Sequence, residues 1–174
     1  MTRHLILVGL PGAGKTTVGR RAAEMLAADF SDLDEMVESE TGRSIPAIFQ
    51  ESGEAEFRRL ERAAMDRALA QPPHLIAAGA GWIAQPGNLD TALAAGAAII
   101  YLKISVERAL ARVGADRNRP LLVGGDRAAR LRELLREREG WYGRAHHEVP
   151  AEGDVETVAA RLVELAGPAT PSAG

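Results

Sequence analysis

Cysteine is absent from this chain. That single absence removes a disulfide framework, a thiol nucleophile and a thiolate metal site. Positive charge is not in excess either: the formal net charge is -3, which argues against a general binder of nucleic acid or membrane surfaces, although arginines can still cluster locally. Long apolar runs are missing. No stretch approaches membrane-spanning length, and the opening MTRHLILVG is too short an apolar run for a signal peptide. Aromatics are few, at 4%, in a composition that is otherwise ordinary for a globular protein, 46% hydrophobic and 26% charged. The expectation is a soluble cytoplasmic protein with no nucleic-acid and no membrane partner. A length of 174 residues suits one domain with a real hydrophobic core.

What is present alternates. HLILVG, residues 4 to 9, is a short apolar run ended by glycine, the pattern of a strand buried on both faces. Residues 15 to 28 carry apolar side chains at helical spacing, and FSDLDE follows as a short apolar start running into acids. Ile45, Ile48 and Phe49 open a helical pattern that meets a Ser-Gly break and continues as a second helix to the double proline at 72 and 73. HLIAAG and AAIIYLKI are the next strand candidates. SVERALARV is a helix with Ser105 as N-cap. Residues 114 to 125, GADRNRPLLVGG, lack periodicity and read as a mobile loop. DRAARLRELLRERE is a charged helix, AHHEVP a last strand, DVETVAARLVELAG a closing helix and residues 168 to 174 a disordered tail. Strands alternating with helices predict an α/β fold, with helices on both sides of a five-stranded parallel sheet and ligands at the strand carboxyl ends.

GLPGAGKT, Gly9 to Thr16, fits the phosphate-loop pattern G-x-x-x-x-G-K-[ST] between a predicted strand and a predicted helix. Glycines there let backbone N–H groups turn inward around phosphate oxygens, and the helix N-terminus adds a favourable dipole. Lys15 would reach the β- and γ-phosphates, and the Thr16 hydroxyl would ligate Mg²⁺. The chain has no Asn-Lys pair, so the Asn-Lys-x-Asp segment with which a GTPase reads guanine is missing. The length favours a small phosphotransferase over a motor domain.

Asp32 and Asp34 flank Leu33 after the second strand candidate, and alternation along an extended chain would point both carboxylates the same way. One could hold Mg²⁺ through water while the other accepts the proton of an attacking hydroxyl. The competing reading is a helix N-cap, which Asp34 could serve. In GEAEFRRLE, Phe57 falls on a buried face with Arg58 beside it, and Glu54 and Glu61 stand at helical distance, the spacing of a surface ion pair. Arg138 is unremarkable on its own.

Taken in order, GLPGAGKTT, DLD, GRSIPAIFQESGEAEFRRLE, GAG, RPLL and REGWY closely resemble the shikimate kinase family, from about residue 4 to residue 165. The most specific part is I-x-x-I-F-x-x-x-G-E-x-x-F-R-x-x-E, which ordinary P-loop kinases lack. The resemblance implies a three-layer α/β/α P-loop kinase fold over residues 1–167, with a lid near 114–125 and a helical acceptor-binding region. It implies transfer of phosphate from ATP to the 3-hydroxyl of shikimate, with Mg²⁺, in aromatic amino acid biosynthesis. By that match Gly12, Ala13, Gly14, Lys15, Thr16 and Thr17 hold the nucleotide. Thr16 and Asp32 belong to the metal, and Asp34 binds the acceptor hydroxyls and is the base. Arg58 and Arg138 pair with the acceptor carboxylate beside Gly79, Ala80 and Gly81. Two guanidinium forks on one carboxylate make chemical sense. Arg119, before Pro120, matches a lid arginine that closes over the phosphates and helps exclude water. Arg112 resembles an adenine-stacking arginine, with residues 152 to 154 on the other face. The expected partners are ATP and shikimate, and the expected state is a monomer.

The sequence departs from the family in four places. The family triplet at the third strand end is three glycines; here it is Gly79-Ala80-Gly81. One methyl group costs about 1–3 kcal/mol where it cannot be accommodated, and a φ of glycine type would add backbone strain. Trp82 stands where a small residue is usual; it could line the acceptor pocket, but an isolated Trp after a strand favours the core. The lid offers Arg117 as well as Arg119, and REGWY replaces a proline-containing spacing. Two alternatives follow: a kinase for a different small hydroxy-acid, and a nucleotide-binding sensor without turnover. The retained Lys15, Asp34, Arg58, Arg119 and Arg138 speak against the sensor, and a nucleoside monophosphate kinase would want a base-reading pocket instead of a carboxylate clamp. Adjacent His146 and His147 would diverge and make no metal site.

Overall fold

The structure is a computed structural model that describes residues 1–113 and 126–167. The expected lid at 114–125, with Arg117 and Arg119, and the expected tail at 168–174 lie outside the described residues. Five strands form one parallel sheet: β1 Leu5–Val8, β2 Phe30–Asp32, β3 Leu75–Ala77, β4 Ala98–Lys103 and β5 His147–Pro150, in the order β2-β3-β1-β4-β5. The central strand explains the apolar run that announced it. Leu5, Ile6, Leu7 and Val8 are all buried, as a parallel strand must be when helices cover both faces.

The helices are α1 Lys15–Leu26, α2 Leu33–Thr41, α3 Ile45–Leu69, α4 Asn88–Ala94, α5 Val106–Val113, α6 Arg127–Tyr142 and α7 Val155–Leu165. Short polar side chains start several of them. Ser44 caps α3, Asp126 caps α6, Asp154 caps α7, and Ser105 accepts from the Arg108 N–H at the start of α5. Such caps satisfy N–H groups that have no partner inside the helix. The Ser-Gly break is real: Gly53, at φ 80° and ψ 172°, interrupts α3. Two elements escaped the sequence reading, α4 and a 3₁₀ turn over Trp82–Ala84. Both are short, with too few positions to show a period.

The second strand ends sooner than expected. Asp32 is its last residue and Leu33 is already helical, so Asp32 and Asp34 are not alternate residues of one extended chain. Asp32, rather than Asp34, is the cap: its Oδ1 accepts from the N–H of Asp34 (2.9 Å) and of Glu35 (3.3 Å). Asp34 sits in the first turn of α2, where negative charge is favoured. α1 packs on α7, α2 on α3, and α5 on α6. Because the strands run parallel, the loops after β1, β2 and β3 open at one end of the sheet, the usual ligand side of such a sheet. No helix among the described residues is long and apolar enough to cross a membrane.

Candidate active site

The phosphate loop leaves β1 and delivers α1. Gly14 is the N-cap of α1 with φ 85°, a left-handed conformation that only glycine adopts without strain. Lys15 is folded back along this loop and buried, its Nζ donating to the carbonyls of Gly9 (3.0 Å) and Leu10 (3.2 Å). One residue on, Thr16 donates its hydroxyl to Asp32 Oδ2 at 2.6 Å. Each oxygen of Asp32 therefore has its own task, Oδ1 on the α2 backbone and Oδ2 on the phosphate loop.

A cleft of about 310 Å³ opens over this loop. Gly12, Gly14, Lys15, Thr16 and Thr17 form one side, and Asp32 and Asp34 line it with Ala78, Gly79 and Ala80. Asp32 and Asp34 thus share the cleft, as the sequence reading required, but by a strand-to-helix turn instead of strand alternation. Arg112 reaches the cleft from α5, with Nη2 donating to Gly153 O at 3.2 Å and Nη1 to Ala13 O at 3.5 Å. That contact brings it onto the 152–154 segment named with it. Ala13, within the loop, is fully buried.

The two remaining arginines meet at Gly81. A Cβ on Gly81 would lie 2.5 Å from Arg58 Nη2 and 3.2 Å from Arg138 Nη2. A Cβ on Gly79 would collide with Glu61 Oε1 and stand 3.5 Å from Asp34 Oδ1. At both outer glycines a side chain would displace the polar groups that approach there. Ala80 between them is not among the residues with positive φ; Ala27 is the one non-glycine in that region among the described residues. The alanine carries no backbone strain of the glycine type, and its carbonyl accepts from Arg138 Nη1 (2.9 Å) and from the Tyr142 hydroxyl (3.1 Å). Trp82 is buried and is not among the residues lining the cleft, which makes it core. His146 accepts the Ile99 N–H on its Nδ1, as a structural residue would.

Glu61 is the residue the sequence reading undervalued. Its i, i+3 spacing to Arg58 looked like a surface pair, yet its side chain is 1% exposed and that of Arg58 12%. Glu61 Oε2 accepts from Arg58 Nη1 at 2.8 Å, while Oε1 has no hydrogen-bond partner. Burial pushes the carboxyl up to about 7; Arg58 and Arg138 oppose the rise, and Asp34 adds to it. Exposed Glu54 supplies Arg58 with its second carboxylate, accepting from Nε and Nη2 on one oxygen. The signal for burial was in the chain. Glu61 stands four residues after buried Phe57 and four before buried Met65, on the apolar stripe of α3.

A nucleotide-type loop, two acids and a pair of converging guanidinium groups thus lie at one sheet end. The family model for shikimate kinase matches residues 11–166. A shikimate kinase from Mycobacterium avium (strain 104) is 42% identical over 145 residues, covering 83% of this chain and 81% of that protein. One from Rhodococcus erythropolis (strain PR4 / NBRC 100887) is 41% identical over 145 residues, with 83% and 85% covered. Among solved structures, shikimate kinase from Acinetobacter baumannii in complex with shikimate superposes with a TM-score of 0.90 at 36% identity, over 95% of this chain and 93% of that one. This chain belongs to the shikimate kinase family.

Proposed function

We propose that this protein transfers the γ-phosphoryl group of ATP to the 3-hydroxyl of shikimate, giving shikimate 3-phosphate and ADP for aromatic amino acid biosynthesis. The observation that carries the reading is the convergence of Arg58 and Arg138 on Gly81, at the end of the strand whose next-door cleft holds Asp34 and the phosphate loop. Two guanidinium groups on one small backbone residue form a receptor for a carboxylate. A carboxylate in the cleft supplies a base for a hydroxyl.

In this reading the acceptor carboxylate binds between Arg58 and Arg138, which sets its ring against Gly79-Ala80-Gly81. Asp34 orients the 3-hydroxyl and takes its proton as the oxygen attacks the γ-phosphorus. The new O–P bond forms as the bond to the β-γ bridging oxygen breaks, and that oxygen leaves on ADP. Lys15 moves from its two loop carbonyls to the phosphate oxygens, and Arg112 holds the base end of the nucleotide. Arg119, outside the described residues, would neutralise the transferring group.

The residues present fit Mg²⁺. Thr16 Oγ1 and Asp32 Oδ2 are hard oxygen donors side by side at the phosphate loop. Among the described residues no group of three or more His, Cys, Asp or Glu could cage an ion; Mg²⁺ in such sites is held mainly by phosphate and water. When bound it would supply charge neutralisation at the phosphate oxygens.

ADP release with Mg·ATP, with and without shikimate, tests the reading. Strong shikimate-dependent release is expected; nucleotide binding with no stimulation would refute the acceptor. Asp34→Asn should lower turnover on the order of 10²–10⁴-fold with ATP affinity little changed. Equal activity would remove Asp34 as base.

A further inference from the structure

The acceptor wall is gripped from behind. Tyr142, the last residue of α6, donates its hydroxyl to the carbonyl of Ala80 at 3.1 Å, and Arg138 Nη1 donates to the same oxygen at 2.9 Å. A carbonyl oxygen offers two lone pairs, so these donors use both. They stand four residues apart, on the buried face of one helix that packs against the 3₁₀ turn following the wall. Tyr142 is 2% exposed. Its ring lies on Tyr101 of β4 at a centroid distance of 4.5 Å and an interplanar angle of 8°, so the hydroxyl has one direction in which to point. Arg138 thus spends Nη1 on Ala80 and turns Nη2 toward Gly81, the side on which Arg58 also arrives.

We infer that Tyr142 is a positioning residue of the acceptor site: by fixing the Ala80 carbonyl and by its own contact with Arg138, it sets the direction in which Arg138 presents its guanidinium to the acceptor carboxylate. The inference rests on the acceptor reading proposed above. Burial pushes the Tyr142 hydroxyl up to about 12, so it stays protonated and donating across the neutral range. Ala80 matters here through its backbone alone, which is compatible with a methyl in the middle of a wall whose outer glycines let polar side chains approach closely.

Tyr142→Phe is the direct test. The phenyl ring keeps the Tyr101 stack and the Ala80 carbonyl keeps Arg138 as a donor, so the variant is expected to fold. Losing one buried hydrogen bond should raise the KM for shikimate about three- to tenfold, while kcat and the KM for ATP change less than about twofold. The same substitution in an Arg138→Ala background separates positioning from general packing. If Tyr142 acts through Arg138, it adds no further increase there. An unchanged shikimate KM, an equal increase in both backgrounds, or a loss falling on kcat and ATP alike would each overturn the inference. Should Tyr142→Phe fail to fold, Tyr101→Leu removes only the stacking partner and should raise the shikimate KM in the same direction; an unchanged KM would count against the proposal. Wild-type turnover of shikimate tests the acceptor reading itself, so failure there is distinct from failure of the Tyr142 comparison.

Discussion

Replacing Glu61 by glutamine isolates one buried carboxyl group and gives its pH dependence a sign and a size. Glu61 is held among Arg58 on its own helix, Asp34 on α2, Arg138 on α6 and the backbone of Gly79, and burial raises it from 4.5 to about 7. The folded state therefore binds a proton that the unfolded chain gives up at lower pH. Stability from this group is fully present below about pH 4.5 and is lost as the pH rises through about 7. The linked free energy is about 3 kcal/mol, most of it falling between pH 5 and pH 8. Glutamine keeps the shape and an oxygen for Arg58 Nη1 but cannot ionise. Any difference between glutamine and the neutral carboxyl does not titrate, so the informative quantity is the change with pH of the difference between variant and wild type. Urea unfolding from pH 5 to pH 8 at fixed ionic strength should show the glutamine form gaining about 2–3 kcal/mol on wild type, or about 5–10 °C in thermal midpoint. Parallel curves, with a constant difference across that range, would refute the argument that this carboxyl is buried and perturbed.

Two further predictions come from the strand ends. Gly81→Ala puts a methyl 2.5 Å from Arg58 Nη2 and close to Arg138, so it should raise the shikimate KM at least about tenfold with the KM for ATP unchanged. Ala80→Gly should leave the shikimate KM within about twofold and lower stability by less than about 1 kcal/mol. A large gain in affinity would mean that the methyl crowds the acceptor. At the opposite end of the sheet, His4 is buried in edge contact with His74, accepts the His74 N–H on Nδ1, and is held below its ordinary value first by burial and then by His74. A depressed imidazole contributes stability above pH 6.5 that disappears as the pH falls. His4→Asn should therefore flatten the loss of thermal midpoint between pH 7 and pH 5, and an unaltered slope would dismiss His4 as its source. This sign opposes that of Glu61, which is why each needs its own variant.

The fold was legible because its three inner strands are buried on both faces and several of its helices are capped. Leu5–Val8 and Ala98–Lys103 could be read as strands from apolar runs alone. Asp126 and Asp154 marked helix starts just ahead of periodic segments. The phosphate loop was legible for a related reason: its glycines, Lys15 and Thr16 are local in sequence as well as in space. The acid pair was legible in content and mistaken in cause. Both aspartates reach the cleft, but because Asp32 caps the helix in which Asp34 sits.

The proposed acceptor side resisted for a deeper reason. Its charges are brought together by tertiary packing, and local spacing describes only the helix each belongs to. On α3, Arg58 and Glu61 have the separation of a solvated pair worth a few tenths of a kcal/mol. What distinguishes them is Gly79, which arrives from β3 with no side chain and closes over Glu61 Oε1. The same holds on α6, where Arg138 and Tyr142 become a unit only because the Ala80 carbonyl stands between them. The stretch Gly79-Ala80-Gly81 is thus where three buried polar groups from two helices find their geometry. The outer glycines admit the side chains, and the middle residue contributes a carbonyl that any residue possesses. The middle position can carry a methyl and still supply that carbonyl, since Ala80 is not among the residues with positive φ. Tyr142 then inherits the task of holding still a backbone that the added methyl group leaves otherwise unchanged.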